Sequence, residues 1–294
     1  MSLFVFGIGY TAGHYLGDAR SLEIDGPAIG TVRTADKVEA LGRKGQAALV
    51  FDDGHADPAI ETALAQADRL LVSVQPGLSG DSVLSRFTDA IAASRLASIV
   101  YLSTIGVYGD HGGAWIDETT PAEPLSERGR ARVAVENAWL SLGQRTGKSV
   151  QILRLAGIYG PGRNALDDLR QGDARRIDKP GQVFNRIHVG DIGRAIGQAF
   201  MFRGGCRVWN VTDDEPAPAP EVVAYAARLM GLEPPPVIPF GEAPLSPMAR
   251  SFYAANRRVS NRALTQDLGV TLAYPTYRDG LSALWAAGEG RGPV

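Results

Sequence analysis

The chain has 294 residues, 45% hydrophobic and 21% charged, with a formal net charge of -2 and a pI near 6.1. It is long enough to bury a full-sized core, and its near-neutral charge gives no reason to expect nucleic acid or an anionic membrane as partner. Cys206 is the only cysteine, which excludes an internal disulfide and points to a reducing cytoplasm, while His14, His55, His111 and His188 are too scattered for a metal site. No apolar stretch is long enough to cross a bilayer, and Met1 leads straight into an apolar run, leaving no room for a signal peptide.

That run, Leu3-Phe4-Val5-Phe6, precedes Gly7-Ile8-Gly9-Tyr10-Thr11-Ala12-Gly13. A short apolar run ending in glycines reads as a buried parallel strand turning tightly into a helix. Gly7 suits the sharp turn and Gly9 a close approach of backbone to a pyrophosphate. Ala12 or Gly13 lets the helix lie near the strand, with Tyr10 and Thr11 opening its first turn. The free N–H groups of that turn would face phosphate oxygens, so the segment is a candidate dinucleotide site.

Strands are then predicted at Ala28 to Val32, Gln46 to Phe51, Leu70 to Val74, Ile99 to Ser103 and Val150 to Leu155. Between them lie helices from Thr34, a plausible N-cap, to about Lys44, from Pro58 to Gln66, Asp81 to Leu96, and Glu127 to Gln144. This alternation predicts an α/β, doubly wound parallel sheet. Further strands are expected at Val183 to His188 and Val208 to Val211, around a helix from Asp191 to Phe202. The proline-rich Pro216 to Pro220 and Pro234-Pro235-Pro236 read as connections.

Ligands of such a sheet gather at the carboxyl ends of its strands. Arg33 stands at one of them, where an NAD site usually offers an acid to the ribose; an arginine suits the 2′-phosphate of NADP. Lys37 could add charge there. NADP(H) is therefore favoured, with NAD(H) as the alternative, against the bland reading of a solvated arginine. Asp52 either hydrogen-bonds the adenine or belongs to a polar turn, Asp52-Asp53-Gly54.

Taken in order, GIGYTAG from Gly7, STIGVYGD from Ser103 to Asp110, LRLAGIYGPG from Leu153 to Gly162, IHVGD from Ile187 to Asp191 and YPTYRDGL from Tyr274 to Leu281 cover nearly the whole chain. The ordered set resembles the extended short-chain dehydrogenase/reductase superfamily, the branch of NAD(P)-dependent sugar epimerases and dehydratases. The resemblance implies a Rossmann lobe at 1–162, with 183–212 returning to it. A smaller substrate-binding lobe would comprise 163–182 and 213–294. It also implies Ser103 beside the cofactor and His188 at the lobe junction.

In active relatives a serine or threonine, a tyrosine and a lysine act together. Thr104 takes the hydroxyl position, but the tyrosine and lysine positions fall on Arg128 and Arg132, with Glu136 setting the register. No tyrosine lies between Tyr108 and Tyr159 and no lysine is near, so the sequence resembles the atypical subgroup that keeps the fold and loses the dyad. Arg132 could hold the cofactor ribose; Arg128 could bind an anion but cannot donate the proton. The bland alternative is an exposed helix with an Arg132–Glu136 pair. Tyr108, His111 or water would then supply the proton, with Tyr108 and Tyr159 otherwise packing residues. Two functions are expected: an NADP(H)-dependent oxidoreductase or epimerase-like enzyme with a small polar or anionic substrate, or a non-catalytic NADP(H)-binding sensor or scaffold. A homodimer is left open.

Overall fold

In the computed structural model, which describes residues 2–21, 27–52 and 54–291, strands and helices alternate through the first half of the chain. β1 (Leu3–Phe6), α1 (Tyr10–Ser21), β2 (Ala28–Val32), α2 (Ala35–Gly42), β3 (Ala47–Val50), α3 (Ala59–Gln66), β4 (Arg69–Val72), α4 (Ser82–Ala93) and β5 (Ser98–Thr104) come first. A 3₁₀ turn (Ile105–Tyr108) and β6 (Trp115–Ile116) lead to the long α5 (Glu127–Thr146) and β7 (Ser149–Leu155). Next are β8 (Gly157–Tyr159), α6 (Ala165–Arg170), β9 (Arg176–Asp178), β10 (Arg186–His188), α7 (Val189–Met201) and β11 (Arg207–Val211). The chain ends with α8 (Ala219–Leu229), β12 (Val237–Pro239), α9 (Pro247–Ser251), β13 (Arg258–Val259), a π turn (Ala263–Asp267) and α10 (Tyr277–Ala286). Met1 and Asp53 lie outside the described residues.

Seven strands form one sheet in the order β11-β7-β5-β4-β1-β2-β3, and every pairing is parallel. The order reverses between β1 and β4, where Phe6 lies opposite Val72, so a ligand crevice opens at the carboxyl ends of these strands. β1 and β4 are buried along their whole length because helices cover both faces, which is why they read as unbroken apolar runs. One face packs Ala12, Tyr15 and Leu16 of α1 with Ile192, Ala195, Ile196 and Ala199 of α7. The other packs Ile60 and Leu64 of α3, Val83, Phe87 and Ile91 of α4, and Val135, Trp139 and Leu142 of α5.

Beyond β7 the sequence expectations need two corrections. Only Arg186–His188 of the expected strand forms, and it pairs with β8 outside the main sheet. Its upstream half is held by the C-terminal lobe instead: the Val183 N–H donates to Asn256 Oδ1 and the Phe184 N–H to the Ala217 carbonyl. Pro216 to Pro220 is not wholly a connection, since Pro218 is the N-cap of α8 and Pro220 sits in its first turn, where a missing N–H costs nothing.

A separate apolar cluster, in which Tyr159, Leu166, Val222, Ala226, Tyr277, Leu281 and Leu284 meet, joins α6, α8 and α10. Residues 256–258 are bound to the loop that follows β5. His111 and Gly113 N–H groups both donate to the Asn256 carbonyl at 3.0 Å, and the Asn256 N–H donates to Asp110 Oδ1 at 2.7 Å. β6 and β13 pair in parallel immediately beyond, and Arg257 and Arg258 donate to the Gly109 and Gly113 carbonyls. No helix among the described residues is long and apolar enough to cross a membrane.

Candidate cofactor and substrate site

The glycine turn sits at the carboxyl end of β1. Gly7 has φ +88°, and a Cβ there would lie 3.0 Å from Val74 Cγ2, so both backbone and space call for glycine. Its N–H donates to Thr31 Oγ1 at 3.0 Å and the Ile8 N–H to the Thr31 carbonyl at 2.8 Å, which fixes the turn on β2. Gly9 is exposed, with no atom within 4 Å of a built Cβ. The N–H groups of Tyr10, Thr11 and Ala12 open α1 and have no intrahelical acceptor. Open space before a free helix N-terminus fits a pyrophosphate.

Ala12 is buried and supplies the close helix–sheet contact, whereas a Cβ on Gly13 would meet nothing within 4 Å. The glycine that close packing requires is Gly30 in β2, where a Cβ would lie 2.8 Å from the Ile8 side chain and from the Val5 carbonyl. Tyr10 turns away from the helix axis: its hydroxyl donates to the Pro161 carbonyl at 3.0 Å, its ring lies 4.6 Å from that of His14, and burial raises its pKa.

Arg33 and Lys37 are exposed, at the end of β2 and in the first turn of α2. Thr34 is the N-cap as expected, but its side chain makes no capping bond. Asp52 Oδ1 accepts the Gly54 and His55 N–H groups, both at 2.7 Å, and these bonds hold its pKa below the ordinary value. Its structural part is therefore the polar turn, with Oδ2 left for any other donor.

At the end of β5, Thr104 is half-buried and caps the 3₁₀ turn, its Oγ1 accepting the Gly106 N–H at 3.1 Å. Ser103 is buried, and its hydroxyl donates to Glu136, which leaves only its acceptor lone pairs for a ribose hydroxyl. Tyr108 is fully buried, donates to Asn210 Oδ1 at 2.8 Å, and has its pKa raised by burial, so its hydroxyl is engaged. The Arg154 guanidinium lies over its ring, 4.7 Å from the centroid. His111 is half-buried, with Nε2 3.0 Å from the Tyr108 carbonyl.

Arg128 is exposed in the first turn of α5 and makes no ion pair or hydrogen bond with another described residue. Arg132, one turn on, is half-buried and reaches back to the Leu102 carbonyl at 3.4 Å, beside Tyr101 and Asp81, whose pKa values both respond to its charge. It does not pair with Glu136. That carboxylate takes Arg154 Nη2 at 2.7 Å and Nε at 3.2 Å, a buried ion pair between residues 18 positions apart that no local pattern announces. Asp81 is another residue sequence reasoning passed over. It caps α4 through Val83 and Leu84, accepts the Trp139 indole N–H at 2.9 Å, and is pushed up in pKa by burial. The Tyr101 hydroxyl beside it is buried with no hydrogen-bond partner. Among the described residues no group of three or more His, Cys, Asp or Glu could hold a metal.

The open glycine turn at a topological switch point defines a dinucleotide-binding α/β protein of Rossmann type. Residues 83–199 match the model of the NAD dependent epimerase/dehydratase family. Protein YeeZ of Escherichia coli (strain K12) is 31% identical over a 234-residue alignment, and the match covers 70% of this chain and 76% of that protein. A functionally unknown conserved protein from Silicibacter pomeroyi is 44% identical, with a TM-score of 0.86 over 98% of this chain and 99% of its own. UDP-glucuronic acid 4-epimerase from Bacillus cereus, solved with UDP-glucuronic acid and NAD, shares the fold at a TM-score of 0.77 and 16% identity, covering 97% and 98% of the two chains. The chain belongs to the extended short-chain dehydrogenase/reductase superfamily, in its NAD dependent epimerase/dehydratase family, with an oxidoreductase- or epimerase-type enzyme fold.

Proposed function

We propose that the protein is an NADP(H)-dependent oxidoreductase or epimerase-like enzyme acting on a small polar or anionic substrate of sugar or carbonyl type. The observation behind the cofactor choice is Arg33, exposed at the end of β2 next to the glycine turn, with Lys37 one helical turn away. A 2′-phosphate carries charge that both could meet, and Arg33 offers a fork of donors. Gly7, Gly9 and the N–H groups of Tyr10, Thr11 and Ala12 would hold the pyrophosphate. Arg132 would hold the ribose in place of a lysine. When bound, the nicotinamide supplies a hydride donor or acceptor. Thr104 would orient the substrate oxygen, and Arg128 would bind a carboxylate or phosphate, or steady developing negative charge. The lone, half-buried thiol of Cys206 suits a reducing cytoplasm.

Titrating the purified protein with NADPH and NADH tests the reading. NADPH should bind more tightly, and Arg33→Ala should narrow the gap by roughly ten- to hundredfold, the loss of one charged hydrogen-bond partner. Equal affinities in the unaltered protein would sink the NADP assignment.

The second reading, a non-catalytic NADP(H) sensor or scaffold, is favoured by the engaged hydroxyl of Tyr108 and the absence of another phenol at the tyrosine position. A screen of small carbonyl and sugar-phosphate compounds for NADPH oxidation separates the two. Turnover of any compound ends the sensor reading; a partner protein that binds only the nucleotide-loaded form, with no turnover, ends the enzyme reading.

A further inference from the structure

We infer that Arg257, from the C-terminal lobe, is a specificity-determining residue that reads the anionic group of a compact carboxylate substrate bearing an apolar flank. The inference rests on the enzyme reading above and deepens it by naming the substrate class. Arg257 donates through Nη1 to the carbonyl of Gly109, five residues beyond Thr104 on the same strand end. Its Nε is buried with no hydrogen-bond partner, and the guanidinium makes no ion pair with any described carboxylate. The nearest acid, Asp110, has its Oδ1 taken by the Asn256 and Gly112 N–H groups at 2.7 and 3.3 Å. A guanidinium drawn out of water without a carboxylate is an unfavourable arrangement that a ligand anion would relieve.

Gly109 is the common neighbour of the other parts. A Cβ built on it would lie 3.9 Å from Leu125 Cδ2, and Leu125 is 60% exposed although apolar. Arg128 follows three residues later, in the helix that packs against the 3₁₀ turn leaving Thr104. Gly109 thus brings the Arg257 guanidinium and an uncovered apolar side chain to the loop that leaves Thr104. Leu125 favours a ligand whose charge adjoins an apolar group over a bare, strongly hydrated phosphate. The bonds from residues 110–114 to Asn256 and Arg258 hold Arg257 against this loop.

Benzoylformate, which carries a carboxylate, a carbonyl and a phenyl ring, is a direct probe, with acetophenone lacking the carboxylate and inorganic phosphate lacking the ring. Calorimetric titration of the NADPH-loaded protein should show benzoylformate binding at least about tenfold more tightly than either control. Arg257→Gln should weaken it about tenfold or more, and Arg257→Lys by less. NADPH affinity, measured on each variant, reports that the protein is folded and keeps the cofactor reading separate. No benzoylformate binding to the loaded protein, equal binding of acetophenone or phosphate, or unchanged binding in both Arg257 variants would each overturn the inference. Loss of NADPH binding in the unaltered protein would instead sink the cofactor reading beneath it and the inference with it.

Discussion

At the level of single residues, glycines separate what the fold needs from what the ligand needs. Gly9 has ordinary backbone angles and open space around it, so Gly9→Val should leave the thermal midpoint within a degree or two while abolishing nucleotide binding. Unchanged NADPH affinity would place the pyrophosphate elsewhere. Gly109 is the opposite case. It has φ +77°, and a Cβ there would overlap the Glu123 carbonyl, so Gly109→Ala should cost more than about 2 kcal/mol in denaturant unfolding. Gly7 and Gly9 were legible in the sequence because their spacing after an apolar run has one geometric meaning. Gly30 was not, since nothing in a strand announces that Ile8 will fold back over it. The bonds of the Ser103 and Tyr108 hydroxyls were not legible for a related reason: their partners, Glu136 and Asn210, lie 33 and 102 residues away.

At the level of elements, α5 carries both Arg128 and Arg132 and the device that seats the helix. Its inner face sends Glu136 into the core, where Arg154 of β7 and Ser103 of β5 meet it, so the helix is keyed to the strand that ends in Thr104 and to its neighbour. Breaking a buried pair strands the remaining charge, so Arg154→Met should destabilise the protein by about 3–5 kcal/mol. Replacing both partners, with Glu136→Met added, should recover part of that loss, and a double-mutant cycle measures it. Simple additivity would show that the pair contributes no coupling. The periodicity of α5 and the family register placed Arg128, Arg132 and Glu136 on the correct helix from sequence alone. Which guanidinium Glu136 would choose was not readable, because Arg132 stands one turn away on the helix and Arg154 arrives from the neighbouring strand.

At the level of the whole molecule, two buried titratable groups carry opposite pH dependences. Asp213 is buried, with Oδ2 unpartnered, and burial pushes its pKa up to about 8 despite the charge of Arg186. A folded pKa above the unfolded value means that its contribution to stability is full below about pH 4 and lost as pH rises through about 8. His188 runs the other way. Its Nδ1 accepts the Gly190 N–H, its Nε2 is buried without a partner, and burial lowers its pKa to about 4. Its contribution is present above about pH 6.5 and lost as pH falls toward about 4. The thermal midpoint should therefore decline from about pH 6.5 to about pH 8, and Asp213→Asn should flatten that limb. A limb of unchanged slope in Asp213→Asn would assign the decline to another group.

The seam between residues 109–116 and 256–260 also sets an order of events during synthesis. Asp110 and its partner Asn256 are 146 positions apart, and a ribosome adding about 5–20 residues per second needs about 7–30 seconds to make the interval. For that time the nascent Rossmann half holds a strand, β6, with no mate, and the loop carrying Gly109 lacks the arginine that will later grip its carbonyl. The loop after β5 is thus finished last, long after the glycine turn has been made.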